Sequence, residues 1–228
     1  MSLVLNDEQE LIQQAAADFL KENAPVTHLR EMRDSEDPVG FSKALWKEMA
    51  ELGWPGIPFE EDLGGAGLGV TELGIVLQEC GRTLAPYPFL STVVLGGGAV
   101  ALAGSDNQKN KILPDLCRGE IFLALAFQET GRFSPWSIQT KAEKTNEGFT
   151  LSGEKVFVLD GHVADHIIVA SRTSGSSGDK EGITLFLVDP AAEGCTVTRT
   201  MMVDSRNAAM VALSGVKVGS EAVLGEVD

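Results

Sequence analysis

The sequence predicts an α+β protein in which an all-helical N-terminal domain is followed by a small antiparallel β-barrel. Apolar residues recur at helical spacing before Gly119, and short β-branched or alternating runs follow it. Because helices and strands are segregated along the chain and do not alternate, we expect separate α and β domains. The predicted boundaries are 1–118 for the helical domain and 119–228 for the β-barrel.

Five segments of the first domain carry an apolar stripe at helical spacing. In order, they run from Asn6 to near Pro25, from Phe41 to Gly53, and over 73–80, 89–103 and 105–118. Asn6 and Gln9 resemble a capping box at the start of the first helix. The loop 53–69 is rich in Gly and Pro and therefore separates the second helix from the third.

Nine short runs of the second domain are predicted to be strands. They cover 121–128, 137–145, 148–152, 155–159, 166–172, 183–188, 195–200, 208–213 and 216–218. Asn146, Glu147 and Gly148 form a hairpin signal between two of these runs. The polar segment 172–182 is predicted to be a flexible connection on the surface.

The charge balance argues against a nucleic-acid partner. Asp and Glu total 33 against 18 Lys and Arg, which gives a formal net charge of -15. A surface of this sign repels phosphate backbones, so nucleic acid is not expected to bind. An anionic ligand such as a nucleotide remains compatible with the sequence if local backbone N–H groups or isolated cations hold it.

The cysteines indicate the compartment. Cys80, Cys117 and Cys195 are widely spaced and form no CxxC pair. This pattern is typical of buried thiols in a reducing environment and not of a disulfide or zinc framework. We therefore predict a cytoplasmic protein.

One uncharged stretch has the length of a membrane span. No charge falls between Thr83 and Ser105, which approaches the ~20 residues that a span needs. Pro86, Pro88 and the glycines 96–98 interrupt it, so a core helix is predicted and a membrane span is not. The N-terminus has no basic segment, and no secretory signal is predicted.

Two motifs imitate ligand sites without the structural context that such sites need. Segment 92–101, TVVLGGGAVA, imitates a dinucleotide fingerprint, but helical patterns precede it, which favours a Gly-rich packing helix. His162 and His166 have the i, i+4 spacing of a metal pair, which converges only on a helix, whereas 166–170 favours a strand. No metal site is predicted.

The segment 126–138, AFQETGRFSPWSI, is the best candidate for a functional loop. It follows an apolar run typical of a buried strand, and it carries Trp136 just beyond the strand end. Glu129 at the strand end has the chemistry of an acid or base, although its spacing alone favours a solvent-exposed carboxylate.

Five blocks of the sequence together resemble one known family. The blocks, in chain order, are LNDEQELIQQAAADFL, LGWPGIPFEEDLGGAGLG, GSDNQKNKILPDLCRGE, GFTLSGEKVFVLDGHVADHIIVASR and DSRNAAMVALSGVKVGSEAVLGE. In this order and spacing they resemble the acyl-CoA dehydrogenases, which are flavin-dependent enzymes, along the whole chain. The segment CGRTLAPYPFLST and the block 204–206 are similar to a subgroup of heteromeric, steroid-type members.

The resemblance implies an architecture and a set of partners. In the family, a helical domain and a middle β-barrel precede a helical bundle, and FAD lies between domains and subunits. This sequence is expected to end where the bundle begins, so the bundle and its catalytic carboxylate, which takes the α-proton, are expected to be absent. The implied partners are an acyl-CoA substrate, another acyl-CoA dehydrogenase chain in a homo- or hetero-oligomer, and an electron-transfer flavoprotein as acceptor.

The resemblance also implies the cofactor-binding residues. Segment 125–134, LAFQETGRFS, is similar to the family's flavin-binding YxxTEPxxGS, and Phe157-Val158-Leu159 stands where Trp-Ile-Thr is usual. The expected FAD contacts are Leu125, Phe127, Gln128, Ser134, Phe157 and Leu159, and Ser134 is also expected near the substrate. No catalytic residue is expected.

Several of these positions depart from the family pattern. Gln128 and Leu159 stand in place of Thr, and Phe133 in place of a small residue. Leu159 has no side-chain donor, and Phe133 crowds a loop in which Gly lets the backbone approach phosphate. The polar part of the flavin site is therefore expected to be weakened.

Three functions remain open from the sequence. The first is FAD-dependent α,β-dehydrogenation of an acyl-CoA thioester in fatty acid or steroid catabolism, by a chain that needs a third domain or a partner for the base. The second is a non-catalytic structural subunit of a heteromeric acyl-CoA dehydrogenase with a degenerate flavin site. The third is a free-standing β domain that binds a small molecule.

Overall fold

The computed structural model describes residues 4–228 of the chain. The helices come first. They are α1 Asp7–Asn23, α2 Val26–Asp34, α3 Lys43–Glu51, α4 Val70–Thr83, a π-helix Phe89–Gly97, α5 Gly98–Ala103 and α6 Asp106–Cys117. The predicted capping box is present, because the Asn6 side chain accepts from the Gln9 N–H at 2.8 Å and the Gln9 side chain accepts from the Asn6 N–H at 3.1 Å.

Two helical features differ from the prediction. Helix α2 was not predicted, although Val26, Leu29 and Met32 recur at helical spacing on one half-buried face; the stripe is short, and none of its residues is buried. The predicted helix 89–103 is a π-helix followed by α5. At Gly96 the π-helix backbone lies so close to strand residue Leu123 that a Cβ on Gly96 would be 2.3 Å from the Leu123 Cβ. Gly96 therefore serves close packing, as the sequence favoured for this segment.

The strands follow in one sheet. They are β1 Leu123–Ala126, β2 Lys141–Lys144, β3 Gly148–Leu159, β4 His166–Arg172, β5 Ile183–Val188, β6 Cys195–Met201, β7 Asn207–Gly219 and β8 Val223–Leu224. The strand order is β6-β7-β3-β2-β4-β5-β8, and β1 pairs with β4. The predicted α+β class, with a helical part followed by a sheet-rich part, is confirmed.

The sheet has two features that the sequence did not predict. The path of hydrogen-bonded strands is not closed, and β4 pairs in parallel with both β1 and β2 while the other pairs are antiparallel. The inward faces nevertheless share one core. Its members include Ala124, Leu151, Val169, Phe186 and Val211.

Strands β3 and β7 are longer than predicted. The runs 148–152 and 155–159 form one strand, because the β3–β7 ladder continues through irregularities between Leu151 and Ser152 and between Lys155 and Val158. Within this strand Gly153 has φ +150° and Phe157 has φ +52°. A bulge inserts residues without ending a strand, so a break in the alternation does not mark a strand end.

The chain divides into two compact units. One contains 4–89 and 113–120, and the other contains 90–112 and 121–228. In the first unit Leu20, Trp46 and Met49 are buried. The boundary between 118 and 119 remains a prediction. None of the helices described within 4–228 has the length and apolar character to cross a membrane.

The close approach at Gly96 gives a test of the fold. We expect Gly96→Ala to lower the free energy of unfolding by about 1–3 kcal/mol, because the new methyl group overlaps Leu123. Gly98→Ala is the matched control, since a Cβ there meets no heavy atom within 4 Å. Urea unfolding of both variants measures the difference. Equal stability of the two would contradict this packing.

Candidate functional site

The loop 127–140 connects β1 to β2 and begins by extending the sheet. The Gln128 carbonyl accepts a hydrogen bond from the Val156 N–H of β3 at 2.8 Å. Val156 precedes Phe157, so this bond brings together the two segments that carry the expected cofactor contacts. This adjacency joins segments that are distant in sequence, so it appears only in the folded chain.

Exposed aromatic rings mark this part of the second unit. Phe133 and Trp136 on the loop are 75% and 46% exposed, and Phe157 on β3 is 48% exposed. The left-handed φ of Phe157 is unusual for an aromatic residue and turns its side chain out of the regular alternation. Phe127 packs edge-on against Phe133 with ring centroids 6.0 Å apart. The rings offer contact area to a planar ligand or another chain.

The remaining expected contact residues are mostly apolar or already hydrogen-bonded. Leu125 is half-buried and alternates with core residues of β1, and Leu159 is half-buried at the end of β3. The Gln128 side-chain amide donates to the Thr130 carbonyl at 2.9 Å. Ser134 shares a hydrogen bond with Ser137, with 2.6 Å between the hydroxyl oxygens, so one of the two protons remains available to a ligand.

Glu129 is not the solvent-exposed carboxylate that its spacing favoured. Its side chain is 8% exposed and lies 2.6 Å from the Lys155 Nζ. It also accepts from the Thr140 N–H and hydroxyl, at 2.9 and 2.7 Å, and from the Gln139 N–H at 2.7 Å. Burial raises the pKa of Glu129, but the bonds from Lys155 and Thr140 outweigh it and hold this pKa below its usual value. The carboxylate is therefore committed to the fold.

Lys155 and Arg172 are two buried cations that the sequence analysis missed. Lys155 is fully buried, and burial lowers its pKa while Glu129 opposes that change. The Arg172 guanidinium donates to backbone carbonyls of both neighbouring loops: Trp136 and Ile138 in one, Asp179 and Glu181 in the other. The only sequence signal was a cation inside or at the end of an apolar strand.

Asp160 is a second buried carboxylate beside the site. It follows Leu159 with φ +51°, is 7% exposed, and accepts a hydrogen bond from the Ser91 hydroxyl at 2.6 Å. Burial raises the pKa of Asp160, against the opposing effects of Ser91 and of the charges on Arg206 and His162. This pair joins the end of β3 to the π-helix.

The histidine spacing does not form a helical pair. His166 begins β4, as predicted. Within 4–228, no group of three or more His, Cys, Asp and Glu side chains is arranged to hold a metal ion.

The expected contact residues offer a flavin apolar and aromatic contacts but few side-chain hydrogen bonds. Phe157, Leu159 and Phe127 supply aromatic and apolar surface of the kind that packs against a planar ring. Among the expected contact residues, side-chain donors are limited to the Gln128 amide, which would have to leave Thr130, and the hydroxyl pair at Ser134. The site therefore fits the faces of the ring better than its polar edge.

Comparison with known families covers most of the chain. The family described as "Acyl-CoA dehydrogenase, N-terminal domain" matches residues 6–120, and "Acyl-CoA dehydrogenase, middle domain" matches residues 126–216. The chain is 31% identical over 99% of its length to a 3-(aryl)acrylate reductase of Clostridium sporogenes, and it spans 60% of that protein. It therefore aligns with little more than half of this relative.

Solved structures share the fold. The ChsE4-ChsE5 complex of Mycobacterium tuberculosis matches with a TM-score of 0.86 and 27% identity over 99% of this chain and 58% of that one. A structure described as the Tcur3481-Tcur3483 steroid ACAD matches with a TM-score of 0.83 and 26% identity over 100% of this chain and 59% of that one. Both descriptions name two components.

The Ser91–Asp160 pair predicts a pH-dependent stability. Because the folded pKa of Asp160 is raised, its favourable contribution is present below the unfolded pKa of about 4 and is lost as pH rises through the folded pKa. Asp160→Asn stays neutral, keeps an acceptor for Ser91 and tolerates the left-handed φ. We expect the free energy of unfolding of Asp160→Asn to rise relative to that of the native chain as pH rises from about 4 through the folded pKa of Asp160.

Urea unfolding across this pH range measures the effect. Glu154→Gln, which removes an exposed carboxylate of β3, is the control for the loss of a charge. A difference between Asp160→Asn and the native chain that is constant with pH would contradict the assignment.

Proposed function

The chain belongs to the acyl-CoA dehydrogenase family, and from this premise we propose that it takes part in FAD-dependent α,β-dehydrogenation of an acyl-CoA thioester. One observation carries the proposal. The bond between the Gln128 carbonyl and the Val156 N–H joins the two segments of expected flavin contacts beside exposed aromatic rings. Such surface, formed by a loop on a rigid sheet, suits cofactor binding.

Each residue of the site has a proposed part in holding the cofactor. Phe157 and Leu159 pack against the ring system, and Leu125 and Phe127 extend the apolar surface. Gln128 and Ser134 supply the side-chain donors, and Ser134 also lies near the acyl-CoA. When bound, the flavin supplies the hydride-accepting chemistry, and the protein supplies binding and orientation.

The base is proposed to come from residues outside 4–228, in a third domain or a partner chain. Glu129 is the carboxylate of the site loop, but Lys155, Thr140 and Gln139 already donate to it. A carboxylate held below its usual pKa by such donors is a poor proton acceptor. As an isolated chain, this one is therefore proposed to be incomplete as an enzyme.

A second function is favoured by a separate observation. Phe133 packs against Phe127, the Gln128 amide is bonded within its own loop, and Leu159 has no donor. Each missing hydrogen bond to a flavin weakens binding by about 0.5–1.5 kcal/mol, so two or three losses lower affinity by orders of magnitude. The alternative is thus a structural subunit of a heteromeric acyl-CoA dehydrogenase whose partner holds the flavin.

The partners and setting follow from the same premise. The structures named ChsE4-ChsE5 complex and Tcur3481-Tcur3483 steroid ACAD support a hetero-oligomer with a second acyl-CoA dehydrogenase chain and a steroid-type acyl-CoA. An electron-transfer flavoprotein is the proposed acceptor, and the cytoplasm, with its reducing conditions, is the proposed location. A homo-oligomer that acts in fatty acid catabolism is the competing assignment.

Flavin absorbance separates the two functions. The purified chain is incubated with excess FAD, desalted, and its visible spectrum recorded, alone and with a candidate partner chain. Gln128→Thr/Leu159→Thr restores two hydroxyl donors and is expected to retain more flavin than the native chain, by roughly tenfold or more in affinity. Val203→Thr adds the same side chain at a fully exposed position and is the control.

The outcomes have different meanings. Flavin retained by the native chain supports the dehydrogenase function. Flavin retained only by the double variant supports the structural subunit. If a complex reconstituted with the partner neither binds acyl-CoA nor reduces flavin, both functions are excluded.

A further inference from the structure

A single carboxylate holds together the two ends of the loop 127–140. We call the point where Glu129 meets Gln139 and Thr140 the neck of the loop. Glu129, near its start, accepts from the Gln139 and Thr140 N–H groups at its end, at 2.7 and 2.9 Å. Each of the two carboxylate oxygens accepts one of these N–H groups. The carboxylate therefore joins the two ends of the loop, while Phe133 and Trp136 lie between them with exposed rings.

The same carboxylate fixes the loop to β3. The Lys155 Nζ donates to Glu129 at 2.6 Å, and the next residue, Val156, donates its N–H to Gln128. Consecutive residues of the loop are thus bonded to consecutive residues of the strand. A shift of the loop along β3 would break both bonds and separate the oppositely charged pair.

Glycine in β3 makes room for the neck. A Cβ at Gly153 would lie 2.5 Å from the Thr140 hydroxyl oxygen and 2.6 Å from its Cα, so Thr140 rests directly on the strand backbone. In this position the Thr140 hydroxyl reaches Glu129 at 2.7 Å. Thr140 itself is 1% exposed, and its carbonyl accepts from the Arg172 N–H at 2.7 Å. Thr140 is therefore packed tightly against β3, whereas Gln139 is exposed.

We propose that Glu129, neutralised by Lys155, is a positioning residue that holds the loop 127–140 closed and thereby fixes Gln128 alongside Val156 and Phe157. Its role in flavin binding rests on the proposed function, whereas its hold on the loop does not. The exposed rings are then presented by a preformed loop. Preorganisation of this kind lowers the entropy lost when a ligand binds.

The ion pair between Glu129 and Lys155 determines which variants can test this role. Glu129→Gln alone leaves Lys155 buried without a counter-ion, so it destabilises the whole fold and is uninformative about the loop. Glu129→Gln/Lys155→Met removes both charges at similar volume and is expected to restore the melting temperature. Glu129→Gln replaces one of the two accepting oxygens by an NH2 group, which cannot accept, so one of the two N–H groups loses its partner and the loop is expected to be released.

Thr140 supplies a milder pair of variants. Thr140→Val keeps the shape and the N–H but loses the hydroxyl that donates to Glu129. Thr140→Ser keeps that hydroxyl and should behave as the native chain does. The comparison separates the hydrogen bond from packing, and Glu154→Gln on the same strand serves as a control for altered charge.

Two measurements report on the loop without any cofactor. Trypsin cleavage after Arg132, which is exposed between the ends of the loop, measures its opening. Hydrogen exchange of the Thr140 and Val156 amides measures the neck and the strand pairing. We expect both rates to rise by roughly ten- to a hundredfold in Glu129→Gln/Lys155→Met, and less in Thr140→Val.

A third measurement, FAD affinity, tests the link to the proposed function. Where the native chain or its complex binds FAD, the double variant should bind it at least about tenfold more weakly at a matched melting temperature. A native chain and complex that bind no FAD would remove the proposed function, while the two loop measurements would still decide the positioning role.

The contrary results are equally definite. If Glu129→Gln/Lys155→Met is cleaved and exchanges its amides at the same rates as the native chain, the positioning role of Glu129 is overturned. Release of the loop with unchanged FAD affinity would overturn its link to the cofactor. Equal behaviour of Thr140→Val and Thr140→Ser would show that packing and not the hydrogen bond holds the neck.

Discussion

A fully buried lysine is the constraint on which this end of the sheet depends. Lys155 has no exposed side-chain surface, and a buried ammonium group is stable only beside a counter-charge. Glu129 supplies that charge, and to reach it the chain after β1 must lie against β3. The further donors at Gln139 and Thr140 then bring the end of the loop to the same point. The need to neutralise buried Lys155 therefore orders the loop between β1 and β2.

The sheet tolerates this arrangement because β3 is irregular where the loop contacts it. Gly153 leaves space for Thr140, and the register irregularity between Lys155 and Val158 directs Phe157 away from the shared core. A regular strand would alternate strictly and present different side chains. Because β3 departs from ideal strand geometry here, the buried cation of Lys155 and the exposed ring of Phe157 lie within three residues of each other.

The site that results has an unusual balance of contacts. Aromatic surface is exposed at Phe133, Trp136 and Phe157, whereas few of the expected contact residues carry side-chain donors, and the Gln128 amide is already bonded to Thr130. Apolar contact supplies area without fixing orientation, and hydrogen bonds fix orientation at a small net gain. A ligand bound here would depend on backbone groups of the loop for its orientation. The order of the loop therefore matters more than any single polar side chain.

The sequence by itself determined the α+β class, the order of helices and strands, and the family resemblance, because period and block order are local properties. The capping box at Asn6 and the strand at His166 followed from neighbours in the chain. Only the tertiary structure decided that Glu129 is buried against Lys155 and that β3 continues through its bulges. Burial and pairing depend on residues distant in sequence, so no local pattern encodes them.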